Sequence, residues 1–226
     1  MFEYSSQDPR TFTDYLLYKG HIHYYFATSN LPPDTKYITI LRDPVERIIS
    51  LYFFLRDVVP NNSLTDPNLP EQQKAAIKVA KESGICEYLR SPLVTVRGSI
   101  RNHQLKVLLD KETFGKIGTN PEDVVDKAMR NIRSFLCYGI QEFTPFFVYE
   151  LSQKIGVPHN VPNIINSNPE KNRKIAMLDN GELQDAIAII KRFNQPEIMF
   201  YDHVKDLVVS RINAHFASHI PSTEIR

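Results

Sequence analysis

Apolar positions along this chain fall into two alternating rhythms. At 45, 48, 49, 52 and 53 they take the i, i+3, i+4, i+7, i+8 spacing of one buried helical face. Just upstream, Tyr37-Ile-Thr-Ile-Leu41 is a short β-branched and aromatic run that reads as a strand, as do Phe135 to Ile140 and Lys19 to Phe26. The same patterning predicts helices over 9–18, 44–56, 71–83, 100–110, 121–134, 145–155, 181–193 and 196–217. Several open on a polar residue followed by proline, the sign of an N-cap and first helical position: Asp8-Pro9, Asp43-Pro44, Asn120-Pro121, Thr144-Pro145 and Gln195-Pro196. Gly84 and Gly156 fall where a left-handed C-terminal cap is expected.

Strands and helices alternate with helices in excess, which predicts an α/β fold with a short parallel sheet flanked by many helices. Proline-bearing loops are expected over 57–70 and 157–174, and loops of this length usually carry function. With no internal repeat and no low-complexity tract, the reading is one domain over residues 1–226.

Charge then narrows the function classes. Lysine plus arginine total 27 and aspartate plus glutamate 26, so no global field draws the chain to nucleic acid or an anionic membrane. Any anion site must be local. Two cysteines, Cys86 and Cys137, are too few for a disulfide framework or a zinc signature and read as buried thiols. The start has neither a basic nor an apolar leader pattern and no stretch reaches membrane-spanning length, so the expectation is a cytoplasmic protein.

The richest segment joins the strand at 37–41 to the helix at 44–56. Asp43 can cap that helix, Pro44 suits its first position, and Glu46 stands at capping-box spacing. A helix N-terminus after a strand offers unpaired amides and a positive dipole end, and Arg42 adds charge at the strand's tip. An anion site and a capped helix whose arginine pairs with a carboxylate both fit these residues. Ser50 lies roughly 10 Å along the helix from Asp43 at 1.5 Å per residue. Capping chemistry alone does not single it out.

Leu41-Arg-Asp-Pro-Val-Glu-Arg-Ile-Ile-Ser-Leu-Tyr52 resembles the 3′-phosphate-binding segment of the sulfotransferases, most closely the heparan sulfate 2-O-sulfotransferase-like group. The resemblance continues through Gly20-His21, Asn102 to Lys106, Phe135 to Gly156, which looks like the family's strand and helix reading Phe-x-x-x-Gly-x-x-Glu (here Phe135, Gly139, Glu142), and Asn194 to Leu207 with its Tyr201-Asp-His203. It implies a three-layer, P-loop-transferase-like fold and transfer of a sulfuryl group from 3′-phosphoadenosine 5′-phosphosulfate (PAPS) to a hydroxyl acceptor, for which a carbohydrate is one candidate. Arg42 and Ser50 would hold the 3′-phosphate, Arg173 would reach the nucleotide from the late loop, and His21 would take the acceptor's proton. His21 and His23 would share a strand face, but no further ligands stand at metal spacing and the family's chemistry needs no metal.

The family's loop for the 5′-phosphosulfate should lie some tens of residues before Asp8 and is expected to be absent here together with its strand. That would leave an exposed sheet edge, which a homo-oligomer could cover. Gly115-Lys-Ile-Gly-Thr119 is the one internal lookalike, on the wrong side of the 3′-phosphate segment in chain order. A non-catalytic relative that keeps the fold for binding is the main alternative. A phosphotransferase is a third class, without a visible Walker lysine or magnesium ligands.

Overall fold

The computed structural model describes residues 22–158 and 179–217. The described residues form a helix-rich α/β structure with a two-stranded parallel sheet. In chain order these elements are helix α1 (Tyr24–Asn30), strand β1 (Ile38–Leu41), α2 (Pro44–Phe53), α3 (Glu71–Glu82), α4 (Ile85–Arg90), α5 (Val94–Ile100), α6 (His103–Leu108), α7 (Lys111–Gly115), α8 (Pro121–Arg133), strand β2 (Cys137–Ile140), α9 (Thr144–Ile155), α10 (Asn180–Phe193) and α11 (Gln195–Ala217). The chain divides into two compact units. One comprises Met1–Leu41, Gln104–Val161 and Met199–Arg226; the other comprises Arg42–His103 and Pro162–Ile198.

The first unit carries the sheet. Ile38, Thr39, Ile40 and Leu41 lie opposite Cys137, Tyr138, Gly139 and Ile140 in parallel register, and the Leu136 N–H donates to the Tyr37 carbonyl at 2.8 Å just before it. Its core gathers Leu41 and Ile140 from the strands, Val124, Ala128 and Ile132 from α8, and Phe200, Val204 and Val208 from α11. The last two sets repeat at i, i+4, i+8, the spacing that turns one helical stripe inward.

Helix α2 dominates the second unit. Ile48, Ile49, Tyr52 and Phe53 are buried with Ala76 and Ala80 of α3, Tyr88 and Leu89 of α4, and Ile190 of α10. This is the face predicted from the spacing, with Val45 packed at its margin. Beyond Phe53 the helix widens into a π-type turn over Phe54–Val58, where the Val59 N–H donates to the Phe54 carbonyl at 3.0 Å. The Lys81 ammonium closes that turn by donating to the carbonyls of Arg56 and Val59 at 3.0 and 2.7 Å.

Three expectations change. Of the strand expected over Lys19 to Phe26, the described part is instead the start of α1, because tertiary packing overrides β propensity. Tyr24 docks against Tyr37 and Phe135 with ring centroids 5.1 Å away in both cases, and Ala27, one turn on, is buried. The helix expected over 100–110 is shorter, α6 over His103–Leu108, and is parted from the end of an unexpected α5 by Asn102, whose φ of 47° lies in the left-handed region. Asparagine tolerates that region better than most side chains. Gly84 has φ −65° and serves as the N-cap of α4 rather than as a left-handed cap. Gly156 does take the left-handed form, at φ 68°, and ends α9. The helix expected over 9–18 and most of the late loop lie outside the described residues.

Candidate functional site

The N-terminus of α2 is built as its sequence requires. Asp43 leaves the helical region with ψ 125°, and its Oδ1 accepts the Glu46 backbone N–H at 2.9 Å. Pro44 occupies the first turn, where no amide donor is needed, and is buried. The cap satisfies one of the first-turn donors, and an incoming anion would meet others at the positive end of the helix.

Arg42 precedes the cap, with about a quarter of its side chain exposed, and its Nη2 stands 3.9 Å from Glu46 Oε2. An ion pair that long and that open to water contributes little by itself. Ser50 is half-buried two turns along α2, and its hydroxyl makes no hydrogen bond among the described residues. Arg47, one turn before Ser50 on the same side, is tied down: Nη1 donates to the Ser99 carbonyl at 2.9 Å and Nη2 to Glu197 Oε1 at 3.2 Å. Arg42 and Ser50 thus frame the first two turns of one rigid helix. His21 and Arg173 lie outside the described residues.

In the first unit the surroundings of His23, two residues beyond His21, are defined. Its Nδ1–H donates to the Lys106 carbonyl at 3.1 Å, which leaves Nε2 as the basic nitrogen. Burial pulls its pKa below the usual imidazole value; the Lys106 charge adds to this and the carbonyl bond partly opposes it.

The glycine lookalike is no phosphate loop. Gly115 ends α7 and Lys116–Gly118 form a 3-10 turn, so no strand precedes it. Asp110 caps α7 by accepting the Thr113 N–H at 2.8 Å and its hydroxyl at 2.7 Å, bonds that hold the carboxyl pKa down. The lysine of the motif pairs with Glu112 at 3.0 Å in the ordinary i, i+4 manner.

Two contacts that sequence reasoning missed join segments it had treated separately. Asn102 donates its backbone N–H to Asn194 Oδ1 at 2.6 Å and its Nδ2–H to the Phe193 carbonyl at 3.2 Å, while its Oδ1 accepts the Glu197 N–H at 3.2 Å. One side chain therefore caps the end of α10 and the start of α11. Within the first unit, the Tyr201 hydroxyl donates to Glu142, the last position of the Phe135, Gly139, Glu142 spacing. An asparagine near the start of an expected helix was the available signal for the first.

An open groove of about 530 Å³ lies in the first unit, with Met129, Arg130 and Arg133 of α8 and His203 and Asp206 of α11 among its lining residues. Among the described residues no cluster of histidine, cysteine or carboxylate side chains is arranged to hold a metal. None of the described helices is long and apolar enough to cross a membrane.

Set beside known proteins, the chain matches no curated sequence. Residues 4–111, just under half its length, match the sulfotransferase domain, a span that contains Arg42, the capped turn and Ser50. Over that span the chain is similar to a sulfotransferase domain.

Proposed function

We propose that this chain is a PAPS-dependent sulfotransferase of the heparan sulfate 2-O-sulfotransferase-like group, with a layered transferase fold and a carbohydrate hydroxyl as acceptor. The observation that carries the reading is the α2 turn: a capped helix N-terminus, an Arg42 with about a quarter of its side chain exposed beside it, and an uncommitted Ser50 hydroxyl, all within the matched span. Arg42 supplies charge to the 3′-phosphate of the donor and Ser50 supplies a hydrogen bond to it. Arg173 adds a second cation from the late segment.

His21 removes the acceptor's proton as the new oxygen–sulfur bond forms and the bond from sulfur to the 5′-phosphate oxygen breaks. The products are the sulfated acceptor and 3′-phosphoadenosine 5′-phosphate (PAP). Such an in-line displacement asks the protein chiefly for alignment and for charge on the departing phosphate.

Calorimetric titration with PAP, with adenosine 5′-phosphate as the control lacking the 3′ group, tests the reading. PAP binds and the control binds far more weakly, and Arg42→Ala weakens PAP by about 1.5–3 kcal/mol, or roughly ten- to a hundredfold. Equal affinity for the two nucleotides removes the 3′-phosphate site.

A further inference from the structure

Glu197 is fully buried, and the Arg47 guanidinium that pairs with it keeps a buried Nε–H without a hydrogen-bond partner. A buried pair with an orphaned donor is a poor device for stability, since desolvating both charges cancels much of their attraction. Apolar side chains of similar size would hold the same helices at least as firmly. What the pair supplies is direction. Two guanidinium nitrogens bind two fixed acceptors, the Ser99 carbonyl and Glu197, and so set the rotation of α2 about its axis. Glu197 is itself held through its backbone N–H by Asn102, which keeps a left-handed φ of 47° while making that bond. A conformation of that kind persists only where its surroundings enforce it.

Resting on the nucleotide reading given above, we infer that Arg47 and Glu197 are positioning residues for the 3′-phosphate: anchored by Asn102, they fix the azimuth of the α2 face that carries Ser50, one turn beyond Arg47. A rotation of α2 by one side chain's slack carries the Ser50 hydroxyl out of hydrogen-bond range of a phosphate, because such bonds weaken steeply outside a narrow range of distance and angle. The fixed charge of the pair is not the point, as the two partners neutralise each other.

The test is a charge-neutral double variant, Arg47→Met with Glu197→Leu, assayed for PAP, for adenosine 5′-phosphate and for melting temperature. The expected result is an unchanged or raised melting temperature, a roughly tenfold weaker PAP affinity and an unaltered control nucleotide affinity. Unchanged PAP affinity in the folded double variant overturns the inference. Glu197→Leu alone, which leaves the Arg47 Nη2–H without its acceptor, keeps the test decisive should the double variant not fold. It also weakens PAP if Arg47 only positions, whereas tighter binding would mean that the released guanidinium meets the phosphate directly and would overturn the positioning role. Failure of the unaltered chain to bind PAP sinks the nucleotide reading itself, a result distinct from either of these.

Discussion

A Cβ placed on Gly139 would lie 2.9 Å from Cβ of Phe147, closer than real side-chain contacts come. Gly139 sits in β2 at a buried position, and α9 packs Phe147 directly over it. The glycine of the Phe135, Gly139, Glu142 spacing is thus explained by close approach of helix to strand. Gly139→Ala should cost about 1–3 kcal/mol by overpacking, read as a lower urea midpoint with an unchanged slope. A midpoint equal to that of the unaltered chain would show that α9 can shift aside.

Asp43→Ala should cost about 0.5–2 kcal/mol, because the Glu46 N–H loses its acceptor at 2.9 Å. Asp43→Asn should restore nearly all of it, since the amide oxygen can accept the same bond. Chemical denaturation of the two variants separates the cap from the charge.

His23 gives stability a pH dependence of defined sign. Its native pKa lies below the ordinary 6.5, so below that pH the unfolded chain binds more protons than the folded one. The stability it contributes is present above about 6.5 and is lost as pH falls toward the native pKa. His23→Asn keeps a donor for the Lys106 carbonyl without titrating, and its stability curve should fall less steeply in that window. Parallel curves for the two proteins would show that His23 does not titrate differently on folding.

His21→Ala should leave PAP affinity nearly intact and slow sulfuryl transfer by about 10²- to 10⁴-fold if His21 takes the acceptor's proton. Transfer at the unaltered rate would assign that proton elsewhere.

The α2 turn was fully legible in the sequence because every cue there agrees: strand propensity, an aspartate cap, a proline at the first helical position and a 3.6-residue apolar stripe. Helix α8, bounded by Asn120 and Pro121 and carrying a regular stripe, was legible for the same reason. Illegibility began where tertiary contacts decide. Tyr24 and Phe26 favour a strand by type, yet docking of Tyr24 on Tyr37 and Phe135 makes that segment α1. The break at Asn102 depends on hydrogen-bond partners 91 to 95 residues away, which no local window contains. Of the candidate site, Arg42 and Ser50 were proposed from the resemblance of their segment to a family motif, whereas Glu197 as the partner of Arg47 could not be read, being 150 residues distant.

The pairing of β1 with β2 sets a clock on folding. Ile38 finds its sheet partner only in Cys137, 99 positions later, and the two strands have no other partners among the described residues. At synthesis rates of roughly 5–20 residues per second, β1 waits about 5–20 s before its partner exists. The helices between them can form within microseconds, so the sheet is the late and slow event of folding. Throughout that wait Ile38 and Ile40, both still about 40% exposed in the finished protein, stand on an unpaired strand. A nascent chain of this sequence is most open to wrong partners, and to help from a chaperone, in that interval.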